Sequence, residues 1–280
     1  MYNKKHFLRM QNYHQLQAVL LEPNQSASPQ LEQGSVPIKF RQVNFEFSDQ
    51  IERYWLGNSP FRTHLFNSLH LFLPDIERWI IRNIKRTVSQ IKDPLKQDLR
   101  AFIQQEGQHS SQHAKFWDKL RQQGYQLEPF LAFENNVLSR LDKLGLTLNL
   151  AAIAGFEHLT TLIAEIILEN NLAAEAEPNV KAILEWHAQE EIEHKSIAFD
   201  VLKSTTDNYP IRVAGLVIGH ILAIVFLNLG LVVLLSQDKK LWNRQVWQEM
   251  GQFWLFKDKV LFKAVLNFCQ YLKISFHPTL

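Results

Sequence analysis

The stretch HAQEEIEHKSIA, residues 187–198, carries five side chains of metal-binding type within its first eight positions. An α-helix turns by about 100° per residue, so His187, Glu191 and His194 share one face of a helix within about 60°. Three such groups directed together into the interior would form a metal site, whereas a solvated charge run would spread around the helix. Two further glutamates point away from this face and are expected to be exposed to solvent: Glu190 and Glu193.

A second motif of the same kind stands in FIQQEGQHSSQH, residues 102–113. Glu106 and His109 repeat the Glu-x2-His spacing, and His113 follows about one turn later on the same face. His113 is either a hydrogen-bond partner of a ligand or an ordinary surface residue. One Glu-x2-His is usually an exposed i,i+3 pair, but two copies on two long helices predict a carboxylate di-metal centre inside a helical bundle.

Such a bundle takes one glutamate from each of its other two helices. Glu77 in LFLPDIERWIIRNIKR and Glu157 in LNLAAIAGFEHLTTLIAEIIL lie in apolar helical patterns, where an unpaired carboxylate is unfavourable. Glu165 is the rival of Glu157 on the same helix, and His158 is placed to pair with Glu165. His113, His158 and Glu165 are candidates for the layer around the ligands. The predicted ligands are Glu77, Glu106, His109, Glu157, His187, Glu191 and His194.

Helical periodicity begins at Pro60, and proline and glycine divide the chain into helices. The fold class predicted is all-α: a four-helix bundle with additional helices and a hydrophobic C-terminal helix. Two histidines of the first helix, His64 and His70, are expected to be structural. The expected helices cover residues 60–73, 74–89, 94–123, 129–141, 146–172 and 179–204.

Composition restricts the class of protein. The 280 residues carry a net charge of +2, so no general attraction to nucleic acid is expected. Cys269 is the one cysteine, which excludes an intrachain disulfide and a cysteine metal site. We expect residues 1–36 to be a partly disordered tail and residues 37–205 to be the metal-binding bundle, with residues 36–48 as an extended arm. Residues 206–280 would form the C-terminal helices.

Residues 213–235 form an uncharged stretch of 23 residues, long enough to cross a bilayer. The alternative is a buried helix that covers the bundle, and Gly215-x3-Gly219 is compatible with close helix contact. Residues 254–276 mix aromatics and lysines in a helical rhythm, as interfacial helices do. A simple crossing would place the bundle outside the cell without a signal peptide. The sequence therefore favours a cytoplasmic protein that is peripheral or monotopic on the inner membrane, or a buried helix.

Several blocks between residues 36 and 280 resemble the bacterial family of "predicted metal-dependent hydrolases". The chain departs from similar sequences at Ile76, where they tend to have glycine. The ligand order also resembles that of di-iron proteins of the p-aminobenzoate N-oxygenase type, with which it shares the extra histidine at position 187. The helical Glu/His set is similar to that of ferritin-like proteins. The blocks that carry the first resemblance are FEFSD (45–49), PFRTHLFNSL (60–69), FLPDIERW (72–79), FIQQEGQH (102–109), FEHLT (156–160), WHAQEEIEHKSIAFDV (186–201) and FHP (276–278).

Three functions are compatible with this pattern. The first is a di-iron oxidoreductase that activates O2 to oxidise a hydrophobic small molecule, with Glu106 and Glu191 as bridges and Glu77 and Glu157 as terminal ligands. Iron is the metal expected for the two sites, with manganese and zinc as alternatives. The second is a metal-dependent hydrolase with a metal-bridging hydroxide, as the first resemblance implies. The third is a non-catalytic bundle. A membrane surface and a second copy of the chain remain open as partners, and no nucleic acid is expected.

Overall fold

Nine α-helices, a 3-10 turn and a π-helical turn make up the regular structure of residues 38–279, the part of the chain that the computed structural model describes. The predicted tail, residues 1–36, lies outside this range. The all-α class is confirmed. The helices are α1 (Pro60–Lys85), α2 (Leu95–Gln122), α3 (Glu128–Leu141), α4 (Leu146–Glu169), α5 (Pro178–Glu193), α6 (Ile197–Thr205), α7 (Tyr209–Gln237), α8 (Arg244–Gly251) and α9 (Val260–Tyr271), with the 3-10 turn at Asp142–Leu144 and the π-helical turn at Gln252–Phe256.

The first bundle helix is continuous, and the prediction of separate helices at 60–73 and 74–89 is wrong. Pro74 lies inside α1 and has no N–H to donate to the carbonyl of His70. The indole Nε1 of Trp117 donates to that carbonyl instead, over 2.9 Å. Because a neighbouring helix satisfies the freed carbonyl, α1 passes through the proline without ending.

The last bundle helix is interrupted where a single helix over 179–204 was expected. α5 ends at Glu193 and α6 begins at Ile197. The N–H of Ile197 reaches the carbonyl of His194, three residues back, over 3.1 Å, so the chain makes a tighter turn there. Ala198, just after the interruption, is buried. The apolar pattern therefore continues across the interruption, and nothing in the periodicity marks it.

The segment before the bundle is an arm that lies along α2 and has no regular secondary structure. Gln105 donates to the carbonyl of Lys39 over 3.1 Å, and Gln108 donates to that of Val43 over 2.8 Å. The glutamine side chains of α2 occur at helical spacing, so they present polar groups along one face. The arm predicted for residues 36–48 is thus docked on α2 over residues 38–48.

Helix α7 packs against α4 with the two backbones in close contact. A Cβ atom added to Gly215 would lie 2.2 Å from the backbone carbon of Ala151, and one added to Gly219 would lie 2.4 Å from the carbonyl oxygen of Ala152. Only glycine fits such a contact. The apolar core continues from the bundle into α7, where Phe226 is fully buried. The apolar core is therefore continuous across the predicted boundary near residue 205.

Two of the described helices, α4 and α7, are long and apolar enough to cross a membrane by length and composition. Most of α4 is buried in the bundle, which is sufficient reason for its apolar sequence. α7 differs, because it buries one face and exposes apolar side chains on the other, among them Ile221, Ile224 and Val225.

Candidate metal centre

Four helices of the bundle bring the seven predicted ligands into one buried region. Each side chain is almost completely removed from solvent. The glutamates and histidines fall into two groups whose facing nitrogen and oxygen atoms lie within 4.8 Å of one another. One group is Glu77, His109 and His187; the other is Glu106, Glu157, Glu191 and His194.

Two carboxylates of the second group also approach histidines of the first. Oε1 of Glu191 is 2.8 Å from Nε2 of His187 and 3.7 Å from Nδ1 of both His109 and His194. Oε1 of Glu106 is 3.0 Å from Nδ1 of His194 and 3.7 Å from Nδ1 of His109. Glu106 and Glu191 thus each approach histidines of both groups.

The outer glutamates approach one group each. Oε1 of Glu77 is 3.8 Å from Nε2 of His187, and Oε2 of Glu157 is 3.7 Å from Nδ1 of His194. Glu165, the rival on α4, is half-buried and is not a member of either group. Within the described residues, α4 therefore contributes Glu157 to this cluster.

Each Glu-x2-His motif is supported by the residue that precedes the glutamate of the other motif. Nε2 of His109 bonds to the Glu190 carboxylate over 3.1 Å, and Nε2 of His194 bonds to Oε1 of Gln105 over 3.0 Å. In both histidines the outer nitrogen is engaged by this bond, so Nδ1 faces the cluster and offers its lone pair there once it has lost its proton. The solvent-exposed position expected for Glu190 is wrong, because this side chain is buried and also accepts from Arg41 of the arm.

The third histidine is held by other histidines. Nδ1 of His187 and Nε2 of His113 are 2.6 Å apart, and Nδ1 of His113 and Nδ1 of His70 are 2.8 Å apart. All three rings are buried. Desolvation, reinforced by neighbouring imidazoles, lowers the pKa of His113 well below its usual value and that of His70 to about 3. His113 is therefore a neutral hydrogen-bond partner of His187. It is not a surface residue, which was the alternative.

The remaining candidate of the outer layer is directed elsewhere. His158 does not pair with Glu165 as predicted; its Nε2 bonds to the carbonyl of Asn267 in α9 over 3.0 Å. Sequence reasoning missed Thr160, whose hydroxyl donates to Oε2 of Glu191 over 2.7 Å. Its spacing of three residues from Glu157 on α4 was the available signal, since residues three apart share a helix face.

Burial and mutual repulsion hold two of the carboxyl groups in their neutral form. Burial, together with Glu106 and Glu191, raises the pKa of Glu77 well above its usual value. The same effects raise the pKa of Glu157 to about 8. Burial also opposes the charged forms of His109 and Glu191, but their oppositely charged neighbours outweigh it. The pKa of His109 rises to about 9 and that of Glu191 is lowered.

The donor atoms that face the centre fit a pair of cations. Buried polar atoms are normally hydrogen-bonded, so a convergent set without partners needs a ligand. Within the described residues, six atoms of the cluster have no hydrogen bond to any group outside it: Oε1 and Oε2 of Glu77, Oε1 of Glu106, Oε2 of Glu157, Nδ1 of His109 and Nδ1 of His194. Four carboxylates and three imidazoles would satisfy two divalent ions in charge and in number.

We expect cation binding to release protons, and the apparent affinity to rise between about pH 6 and pH 8. Glu157 is mostly neutral below about pH 8, and His109 is mostly protonated below about pH 9. Both groups must lose a proton before they bind a cation. Each displaced proton therefore raises the apparent affinity for the cation roughly tenfold per pH unit. Calorimetric titration in buffers of different ionisation enthalpy measures the release. A Glu157→Gln variant should release fewer protons, and a pH-independent wild-type affinity would contradict this.

An apolar cavity of about 410 Å³ extends from the cluster to the C-terminal helices. His187, Glu191 and Thr160 line it beside the cluster, whereas Ile224 of α7 and Leu261 of α9 line it at the other side. Apolar side chains from α1, α4 and α7 form most of its wall. A molecule that reaches the cluster through this cavity must itself be largely apolar.

Comparison with known proteins agrees with the geometry of the centre. The family model described as "predicted metal-dependent hydrolase" matches residues 39–280. No curated protein and no solved structure matches the chain. The matched range contains all of the clustered glutamates and histidines and the C-terminal helices. The chain therefore belongs to the family of predicted metal-dependent hydrolases. This is the family that its sequence blocks resemble.

Proposed function

We propose that this protein is a two-metal enzyme that acts on an apolar small molecule. Glu77, His109 and His187 would hold one ion, Glu157 and His194 the other, and two glutamates would bridge them: Glu106 and Glu191. The observation that carries this proposal is the convergence of buried ligand atoms from four segments of the bundle on one region, six of them without a hydrogen bond to any group outside the cluster. Exposed acidic groups often cluster without a cation, but these groups are buried, where a carboxylate needs a proton or a counter-charge to compensate its desolvation.

The chain's own residues would fix the direction of the ligands. Glu190 and Gln105 orient two imidazoles from outside, and His113 orients the third. The hydroxyl of Thr160 holds the Glu191 carboxylate and also lines the cavity, so it lies beside any bound substrate. Two bound divalent ions would supply Lewis acidity and would lower the pKa of water.

Hydrolysis is the reaction that the family description favours. The substrate would be an ester or amide of an apolar molecule, because the cavity wall offers few polar groups. The Thr160 hydroxyl, the Glu191 carboxylate and the His187 imidazole line the cavity beside the cluster, where the scissile bond would lie. The apolar cavity would bind the acyl or alkyl part and exclude bulk water from it.

Oxidation by O2 is the second candidate, and the donor set favours it. Two Glu-x2-His motifs and two single glutamates on four helices form the ligand plan of di-iron and di-manganese carboxylate bundles. Iron would be the cofactor in that case. The apolar cavity also suits this reaction, since both O2 and a hydrocarbon group partition into apolar surroundings.

One experiment separates the two reactions. The protein is reconstituted without oxygen with Fe(II), Mn(II) or Zn(II), and two rates are measured: hydrolysis of p-nitrophenyl esters of increasing chain length, and O2 consumption. Ester hydrolysis by the Zn(II) or Mn(II) protein that rises with chain length supports the hydrolase. O2 consumption by the Fe(II) protein, without hydrolysis, supports the oxidase. A protein that binds none of the three ions would contradict both.

A further inference from the structure

The C-terminal part of the chain has an exposed apolar surface that the fold itself leaves uncovered. Phe256 of the π-helical turn and Phe262 of α9 expose 71% and 62% of their areas. Large aromatic side chains at this exposure are unusual unless they meet another apolar phase. Further exposed apolar residues lie on α7, in the connection to α8, on α8, in the π-helical turn and on α9: Val217, Ile221, Val225, Trp242, Trp247, Leu255, Val265 and Leu266.

Side chains of α7 and α9 meet at several points, so the exposed residues of the two helices border one region. Arg212 near the start of α7 donates to the carbonyl of Tyr271 at the end of α9 over 3.3 Å. Further along, the ring of His220 packs edge-on against Phe268, with centroids 5.2 Å apart. Leu261, at the start of α9, lines the same cavity as residues of α7. The apolar surface therefore surrounds the outer end of the cavity.

The mouth of the cavity lies within that surface. Ile224 and Leu261 both line the cavity and are about half exposed, at 53% and 50%. Trp254 lines it as well and is partly exposed. A side chain that lines the cavity and is also exposed to solvent marks an opening of the cavity. The route to the cluster thus begins between apolar side chains and not at a polar part of the protein surface.

Charge identifies what would cover this surface. Residues 239–276 contain seven lysines and arginines and two acidic residues, a net charge of +5, whereas the whole chain carries +2. The rest of the chain is therefore net negative. Lys257 and Lys259 are exposed beside the apolar side chains of the π-helical turn. Exposed aromatics with flanking lysines are the pattern of a segment that enters the interface of an anionic lipid bilayer.

We propose that the surface formed by the outer face of α7 and by residues 239–276 docks into an anionic lipid membrane, and that the cavity opens into the bilayer. The protein would lie on one leaflet without crossing it, because α7 packs along the bundle through its glycine face. Resting on the proposed function, this assigns a substrate class: molecules with a hydrocarbon chain that enter sideways from the membrane between Ile224 and Leu261.

Co-sedimentation with lipid vesicles tests the docking. The wild-type protein should bind vesicles that contain phosphatidylglycerol, and should bind pure phosphatidylcholine vesicles at least about tenfold more weakly. The double variant Phe256→Glu, Phe262→Glu should lose at least about tenfold of the binding. Leu144→Glu is the control, since Leu144 is also a large apolar residue that is more than half exposed, at 54%, but lies in the 3-10 turn between α3 and α4; this variant should bind as wild type does.

Two results would overturn the proposal. One is equal vesicle binding, or none, for the wild type and the double variant. The other is a stable wild-type dimer that the double variant dissociates and that binds no vesicles, because a second copy of the chain would then cover the surface. Metal content is measured in the same samples, so a missing metal centre is distinguished from missing docking.

The position of the mouth has its own measurement. Bromine atoms on lipid acyl chains quench nearby tryptophans, and Trp254 lies at the cavity opening. Quenching of the wild type by vesicles with brominated chains should fall measurably in a Trp254→Phe variant that still binds. Unchanged quenching in that variant would place the opening away from the acyl chains and would overturn that part of the proposal.

Discussion

A Glu191→Ala variant should retain less than half of the wild-type metal and lose activity at least about a hundredfold. This carboxylate is within 3.7 Å of a nitrogen of all three clustered histidines, so both ions would lose a ligand at once. Loss of a group that acts as part of a unit removes most of the function of that unit. Helicity should be unchanged, because the buried imidazoles that remain can release their protons and become neutral. Elemental analysis, circular dichroism and the assays described above measure the three quantities.

The matched control is Glu165→Ala. Glu165 is also a glutamate of a bundle helix, but it is half-buried and lies outside both groups of donor atoms. This variant should keep the full metal content and activity. Full metal occupancy in Glu191→Ala, or equal losses in the two variants, would contradict the ligand assignment.

A Gly215→Ala variant should be destabilised by about 2–4 kcal/mol, although alanine is the better helix former. Helix propensity favours alanine by only about 1 kcal/mol. The added methyl group would lie 2.2 Å from a backbone carbon of Ala151, and a backbone atom cannot turn aside as a side chain does. The helices α4 and α7 must separate, which uncovers the core on both sides of their contact. Urea unfolding followed by circular dichroism measures the change.

Gly107→Ala is the control for that experiment. Gly107 is also inside a helix, but the nearest atom to its added Cβ is a side-chain carbon of Ile81 at 4.0 Å, an ordinary contact. Here the higher helix propensity of alanine should decide the result. The stability of the metal-free protein should be unchanged or should rise by up to about 1 kcal/mol. Equal stability of the two variants would show that α7 does not pack closely on α4.

Most of what the sequence predicts about this protein follows from residues that recur with the period of a helix. The shared face of His187, Glu191 and His194 follows from the 100° rotation alone, and the structure brings these three side chains together. Glu157 was predicted because a carboxylate within an apolar helix needs a compensating partner. Both features depend only on neighbours along one helix, which is the information that a single sequence holds.

Contacts between distant segments account for what the sequence did not predict. Pro74 was expected to begin a helix, and Trp117 of another helix makes its continuation possible. Glu190 was expected in solvent because of its angle on the helix, yet Arg41 of the arm and His109 of α2 cover it. In both cases the deciding partner is separated by tens of residues, so local periodicity contains no record of it.

The repeated outer hydrogen bonds show where a local signal was available but was not used. Gln105 precedes Glu106, and Glu190 precedes Glu191, and each supports a histidine of the opposite motif. The two motifs therefore share a longer pattern, Gln/Glu-Glu-x2-His. A polar residue directly before a ligand lies about 100° around the helix, which suits contact with the adjacent helix of a bundle.

The most direct test of the account is an anomalous diffraction map of the protein loaded with Fe(II) or Mn(II) without oxygen. The account predicts two peaks per chain, one beside Glu77, His109 and His187 and one beside Glu157 and His194, with Glu106 and Glu191 reaching both. A map without peaks in the bundle, or with Glu106, Glu157 and Glu191 directed to separate places, would contradict it.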